Sequence, residues 1–228
     1  MPDVKRCVLT ITSLLLVAGC ASYPPAPAPM ASVPAPRLNG SERWVYEQIN
    51  PYNNLRVRTL TDTVEVNPAG GFTVVSRSDR PGDPVETRTV PQPWSVSAER
   101  AGATWHRYAP ALTVIPFPIA PGSHWLETLT ATDEHGEARW QQTWGRALGW
   151  ERVSTPAGEF VALRIERNRN LGDRDNTWFD TEVRETLWYA PTVKRWVRID
   201  WRSRRQEMGV NPRVEHDAIV WQLTAYRQ

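Results

Sequence analysis

Four histidines, His106, His124, His135 and His216, are the side chains best suited to proton transfer or metal ligation near neutral pH. None stands four residues from another, as two ligands on one helical turn would, and none has the carboxylate spacing of a zinc motif. They read as surface residues, with His135 inside a turn-forming Glu134-His135-Gly136-Glu137. Glu215-His216-Asp217 joins acid and base types, but successive strand residues point to opposite faces, so the triplet does not converge. No Gly-x-Ser-x-Gly elbow marks a serine nucleophile. Asp173, Asp175, Asn176, Asp180 and Glu182 gather oxygen ligands after Leu171-Gly172 in a way that suggests calcium. Arg174 lies between the first two carboxylates and the EF-hand glycine is missing, so a solvated loop is the expectation. No catalytic residue, metal or cofactor is assigned, and the chain is expected not to be an enzyme.

Aromatic and guanidinium groups offer binding instead. The chain has 12 Trp in 228 residues. Trp builds β cores, stacks on sugars or lines lipid grooves, and core is the default. Trp188 and Tyr189, before Pro191, form a candidate binding corner, with Trp196 beyond it. Arg195, Arg198, Arg202, Arg204 and Arg205 make a local basic run that reads first as a solvated face. On one strand Arg198 and Arg202 share a side with Asp200 and Trp196 and offer forks for anionic lipid or lipopolysaccharide phosphate. The candidate ligand-binding set is Trp188, Tyr189, Trp196, Arg198 and Arg202. Across the chain 27 Lys+Arg face 25 Asp+Glu, too even a balance to point to nucleic acid.

The N-terminus reads as an address. Lys5 and Arg6 precede an uncharged run from Cys7 to Gly19, too short for the ~20 residues of a membrane span but suited to an export signal. Its end, Leu16-Val17-Ala18-Gly19-Cys20, resembles the lipobox of bacterial lipoproteins. The resemblance implies removal of residues 1–19, acylation of Cys20 and a permanent lipid anchor. Ala21, where Asp would signal inner-membrane retention, implies the outer membrane with the body facing the periplasm. Cys7 leaves with the signal and Cys20 is capped, so the mature chain has no thiol for a disulfide or a zinc site. Six prolines between Pro24 and Arg37 then predict an extended spacer, so residues 20–39 are expected as lipidated Cys and tether.

From Gly40 onward the hydrophobic period is two. Leu55–Thr59, Val161–Glu166, Val183–Tyr189 and Val197–Arg202 alternate apolar with polar residues, as half-buried strands do. Turn clusters at 67–71, 80–84, 134–137 and 155–158 divide them. The fold class expected is all-β, antiparallel, as one large curved sheet or two related β lobes. A short helix within 206–218 is opposed by Gly209 and Pro212. A weak repeat pairs Gly40–Glu47 with Gly122–Glu127 and Tyr108-Ala109-Pro110 with Tyr189-Ala190-Pro191, suggesting lobes at 40–121 and 122–228.

The stretch from Gly149 to Asp200 resembles the C-terminal signature of uncharacterised TapB-like envelope proteins. It is carried by Thr155-Pro156-Ala157-Gly158 between strands and by Trp188-Tyr189-Ala190-Pro191-Thr192-Val193. More remotely the chain is similar to the LolA/LolB-like carrier fold, which implies a curved sheet closed by helices around a hydrophobic cavity. The function expected is a membrane-anchored binding or envelope-assembly module, with an envelope protein, lipid or glycan as partner. The alternatives are a carrier of hydrophobic envelope molecules and, behind it, a glycan-active enzyme.

Overall fold

The computed structural model describes residues 29–68, 70–91, 94–101, 104–173, 179–207 and 213–228. The signal segment, Cys20 and, of the oxygen-ligand cluster expected as a solvated loop, Asp175 and Asn176 lie outside them. Twelve strands follow in order: β1 (Arg43–Asn50), β2 (Leu55–Val66), β3 (Phe72–Ser78), β4 (Glu86–Val90), β5 (Ser95–Ala101), β6 (Thr104–Thr113), β7 (His124–Asp133), β8 (Ala138–Thr155), β9 (Gly158–Asp173), β10 (Phe179–Ala190), β11 (Arg195–Glu207) and β12 (Arg213–Arg227). Each pairs antiparallel with its sequence neighbours, and β1 pairs with β12 to close a barrel. The described residues contain no helix. Closure is strand to strand, not by the helices that a LolA/LolB-like fold implies.

The alternation read from the sequence sets the wall. In β8, Gln141, Thr143, Gly145 and Ala147 are buried and point inward, while Trp144, Arg146 and Leu148 are exposed outside. Outward residues of β9 to β11 include Arg164, Glu166, Arg184, Arg198 and Arg202. Charged side chains thus stand on the outer face of these strands, where a membrane-spanning barrel carries an apolar band.

The segments 40–121 and 122–228, expected as lobes, contribute to one sheet and one hydrophobic cluster. Gly40 and Gly122 both have φ near 87° and precede β1 and β7, six strands apart. The second half of the repeat does not map that way, because Tyr108 lies in β6 and Tyr189 in β10.

The barrel has a base and a rim. At the base lie the β2–β3 turn, residues 114–123, the β8–β9 turn at Pro156-Ala157 and the β10–β11 turn at 191–194. The spacer expected over 20–39 is docked here over its described part. Val33 donates its amide to Ile119 O at 2.7 Å and accepts from Ile119 N at 3.0 Å. Its side chain is 1% exposed, and Met30 and Leu38 pack on the same cluster. Proline content hides this: Val33 keeps an amide and a β-branched side chain among residues that lack one or the other. Glu42 completes the base, accepting the amides of Asn39 and Gly40 and the ammonium of Lys194. Burial alone would raise its pKa, but these donors outweigh it and hold the carboxyl below its ordinary value.

Candidate functional site

Twelve strands enclose a lumen wider than an eight-stranded barrel, whose own side chains fill it. Aromatic and guanidinium groups occupy much of the extra space. Trp44 and Tyr46 are fully buried and reach β11 territory: the indole donates to Val193 O at 3.0 Å and the phenol to Trp196 O at 2.9 Å. Arg195, 1% exposed, stacks against Trp44, Trp94 and Trp196 at 4.6, 5.2 and 4.2 Å. Its fork donates to Asp62 at 2.5 Å, and Ser76 donates to the same carboxylate at 2.6 Å. The sequence reading placed Arg195 on a solvated face. It is instead a buried pillar, because a cation flanked by aromatic faces and one carboxylate is stable where an isolated one is not.

Nearer the rim a second charged tier crosses the lumen. Arg167 on β9, 6% exposed, pairs with Glu185 on β10 at 2.6 Å. Arg88 on β4 donates to Glu99 on β5 at 3.3 Å, and Tyr108 on β6 donates to the other oxygen of Glu99 at 2.5 Å. Arg169 reaches Gln141 at 3.4 Å. Burial would raise the Glu99 pKa, but Arg88, Arg169 and the Tyr108 hydroxyl together hold it below the usual range.

Both tiers line one cavity of about 320 Å³, walled by Val74, Val90, Trp94, Leu187, Trp196 and Ile199 among others. Four guanidiniums, Arg88, Arg167, Arg169 and Arg195, face it against two carboxylates, Glu99 and Glu185. Several donors have no protein acceptor: Arg88 Nη1, Arg167 Nη1, Arg169 Nε and the indole nitrogens of Trp94 and Trp196. Buried donors of this kind are costly unless something accepts from them, so the lumen favours an acceptor-rich, anionic guest.

The sequence-proposed residues divide between two faces. Tyr189 and Trp196 face the lumen and oppose one another across β10 and β11. Trp188 faces outward opposite Arg198, because the register shifts between Trp188 and Tyr189. The bulge at Val197 breaks the parity that would have put Trp196 beside Arg198 and Arg202. Trp188 is held by its own neighbours: its indole donates to Glu151 at 2.8 Å, and Arg164 and Arg198 lie 5.9 and 5.3 Å from its ring. Arg198 also pairs with Asp200 at 2.7 Å. Arg202 lines an outer groove of about 530 Å³, where the outward Arg184 and Arg202 meet Glu166 and Asp200. Equal numbers of each charge give that groove no preferred sign, whereas the lumen has one.

Arg88, Glu99, Arg167, Arg169 and Glu185 escape a reading that assigns charge to the outer face. The signal lies in parity: Leu163 and Ile165 point inward, and the same period carries Arg167 and Arg169 inward after them. His124, His135 and His216 are exposed, and among the described residues no group of three His, Cys, Asp or Glu is placed to hold a metal.

No protein-family model and no curated protein matches the chain. Among solved structures it is similar to a "putative lipoprotein" from Parabacteroides distasonis ATCC 8503, at 12% identity and a TM-score of 0.45, covering 86% of this chain and 97% of that one. It is also similar to a "putative exported protein with YmcC-like fold" from Bacteroides fragilis NCTC 9343, at 13% identity and a TM-score of 0.42, covering 86% and 99%.

Proposed function

We propose that this chain is a lipid-anchored envelope protein of the outer membrane, facing the periplasm, whose barrel is a binding module and not a catalyst. The address rests on the basic start, the short apolar run and the lipobox-like ending at Cys20. The binding role rests on one observation, a lumen cavity lined by guanidinium and indole donors that lack protein acceptors. A scaffold that only needed to be stable would fill such a space with apolar side chains, since a partly satisfied polar network is less favourable than a dry core. Carriage of a purely hydrocarbon cargo is the second reading. The apolar wall favours it, but such a cargo would leave the arginine donors desolvated and unmatched.

A neutral apolar dye, N-phenyl-1-naphthylamine, tests the lumen without presuming a charge. It should bind the full chain and quench lumen tryptophan emission by energy transfer, and Val183→Trp, which fills the wall, should abolish both effects. Equal binding by the two proteins would end the lumen reading. For the address, Cys20→Ser should release the protein from the membrane fraction, and unchanged fractionation would refute the anchor.

A further inference from the structure

We infer that the lumen seats one oxyanion, a carboxylate or phosphate monoester, at the end of an apolar molecule. The oxyanion meets Arg88, Arg167 and Arg169, and the apolar body lies toward Trp94 and Trp196. This rests on the lumen being a binding site and adds the chemistry of what enters it.

The lining is ordered along the barrel axis. On β9 the inward series runs from Arg169 near the rim through Arg167 to Ile165 and Leu163 toward the base. On β10 it runs from Val183 and Glu185 to Leu187 and Tyr189 in the same direction. Charge therefore forms a belt across the cavity, with Leu171 and Val183 on its rim side and Leu187, Trp94 and Trp196 on its base side. The base beneath is closed by Val33, Ile119 and Phe117, with the Phe117 ring 5.3 Å from Tyr189. An amphipathic anion whose oxyanion stops at this belt has apolar surface below it, toward Trp94 and Trp196, for its body.

Three features set the sign. At the cavity surface Arg88, Arg167 and Arg169 of the rim-side tier stand against Glu99 and Glu185, an excess of one cation, with Glu86 3.6 Å from Arg88 Nη2 outside that lining. Arg167, whose side chain is 94% buried, has Nε and Nη2 on Glu185 and leaves Nη1 without a protein acceptor. Arg88 likewise spends Nε on Glu99 and leaves Nη1 over. Each is a single leftover guanidinium nitrogen, and such nitrogens on separate arginines can each donate to an oxygen of one anion. Arg195 also leaves Nε and Nη1 without an acceptor, but three indole faces lie against its guanidinium and its Nη2 is on Asp62, on the base side of the belt.

The test is calorimetric titration of the full chain with octanoate, octyl phosphate, octanol and inorganic phosphate. At least one octyl anion should bind about tenfold or more tightly than octanol, as expected for a charge-assisted hydrogen bond. The better of the two anions identifies the head group. Arg88→Gln should lose that advantage without changing octanol binding. Glu99→Gln keeps every guanidinium, removes a competing carboxylate and should tighten anion binding, so the test survives a poorly folded arginine variant. Octanol equal to both octyl anions would overturn the oxyanion while leaving a dye-binding lumen intact. Inorganic phosphate equal to octyl phosphate would overturn the apolar part.

Discussion

The two ends of this barrel solve the same problem differently. At the base, residues 30–38 and 114–119 close the lumen with Val33, Leu38, Ile115 and Ile119, joined by the backbone pair between Val33 and Ile119. Toward the rim the inward side chains include Gln48, Arg58, Glu86, Arg88 and Glu99, tied by ion pairs such as Arg58 to Asp83 at 3.0 Å and Arg58 to Glu86 at 3.3 Å. One end is fixed by burial and the other by charge. Burial is insensitive to pH and salt, whereas a charged network facing a cavity answers to both and to any ligand that adds an acceptor.

Two inward carboxyls report the contrast. Glu99, toward the rim, is held below its ordinary pKa by arginines and Tyr108 against the opposing effect of burial. Glu127, toward the base, is pushed above it, chiefly by burial, although the Thr113 amide it accepts at 2.9 Å works the other way. The same side chain is shifted in opposite directions by the two environments.

The largest expected effect lies where the ends meet. Arg195→Ala would strand Asp62 in the core, and loss of one partner from a buried pair costs about 3–5 kcal/mol. Urea unfolding should show this as a lower midpoint, with Arg195→Ala/Asp62→Ala recovering part of it. A loss below about 1 kcal/mol would mean that Asp62 is hydrated and the tier is not dry. Next, Val33→Ala should cost about 1–2 kcal/mol by transfer and cavity terms and should expose the base to proteolysis near Pro34. An unchanged midpoint would show that the docked segment contributes nothing to closure.

Acid titration separates the ends more finely. Glu99 has a depressed folded pKa, so its stabilisation is present above the ordinary value near 4.5 and is lost as pH falls through the lower folded value. Glu127 has a raised one, so its contribution is complete below 4.5 and lost as pH rises through the folded value. Glu99→Gln should therefore flatten the acid limb of the stability profile, and Glu127→Gln should improve stability at neutral pH relative to wild type. Matching profiles for the two variants would erase the distinction. The smallest effect belongs outside the wall. Arg164→Ala removes exposed contacts to Glu151 and Glu166 and should change stability by no more than about 0.5–1 kcal/mol. A larger loss would mean that the Trp188 platform supports the lumen through the sheet.

Much of the wall was legible in the sequence. The period-two runs at Leu55–Thr59, Val161–Glu166, Val183–Tyr189 and Val197–Arg202 all lie in strands, and the turn clusters all fall at or between strand ends. Closure was not legible, because whether a meander ends as an open sheet or a barrel depends on pairing across the whole chain. The lumen site was hidden for a different reason. Arg is ordinarily an outward residue, and position in phase with Ile165 marks Arg167 as inward, whereas Arg195, just before the bulge and beside the inward Trp196, has no such marker. The candidate corner at Trp188 and Tyr189 was read as one site, but one extra residue at Val197 decides which rings share a face, and periodicity alone does not reveal a bulge.

The seam between the first and last strands sets a schedule for assembly. Arg43 lies opposite Arg227, so nearly the whole polypeptide must be made before that ladder can form. Until then β1 and the most recently emerged strand are bare edges, open to a neighbouring chain that offers a matching strand. A molecule without the fifteen residues of β12 would be left as a curved sheet with two adhesive margins.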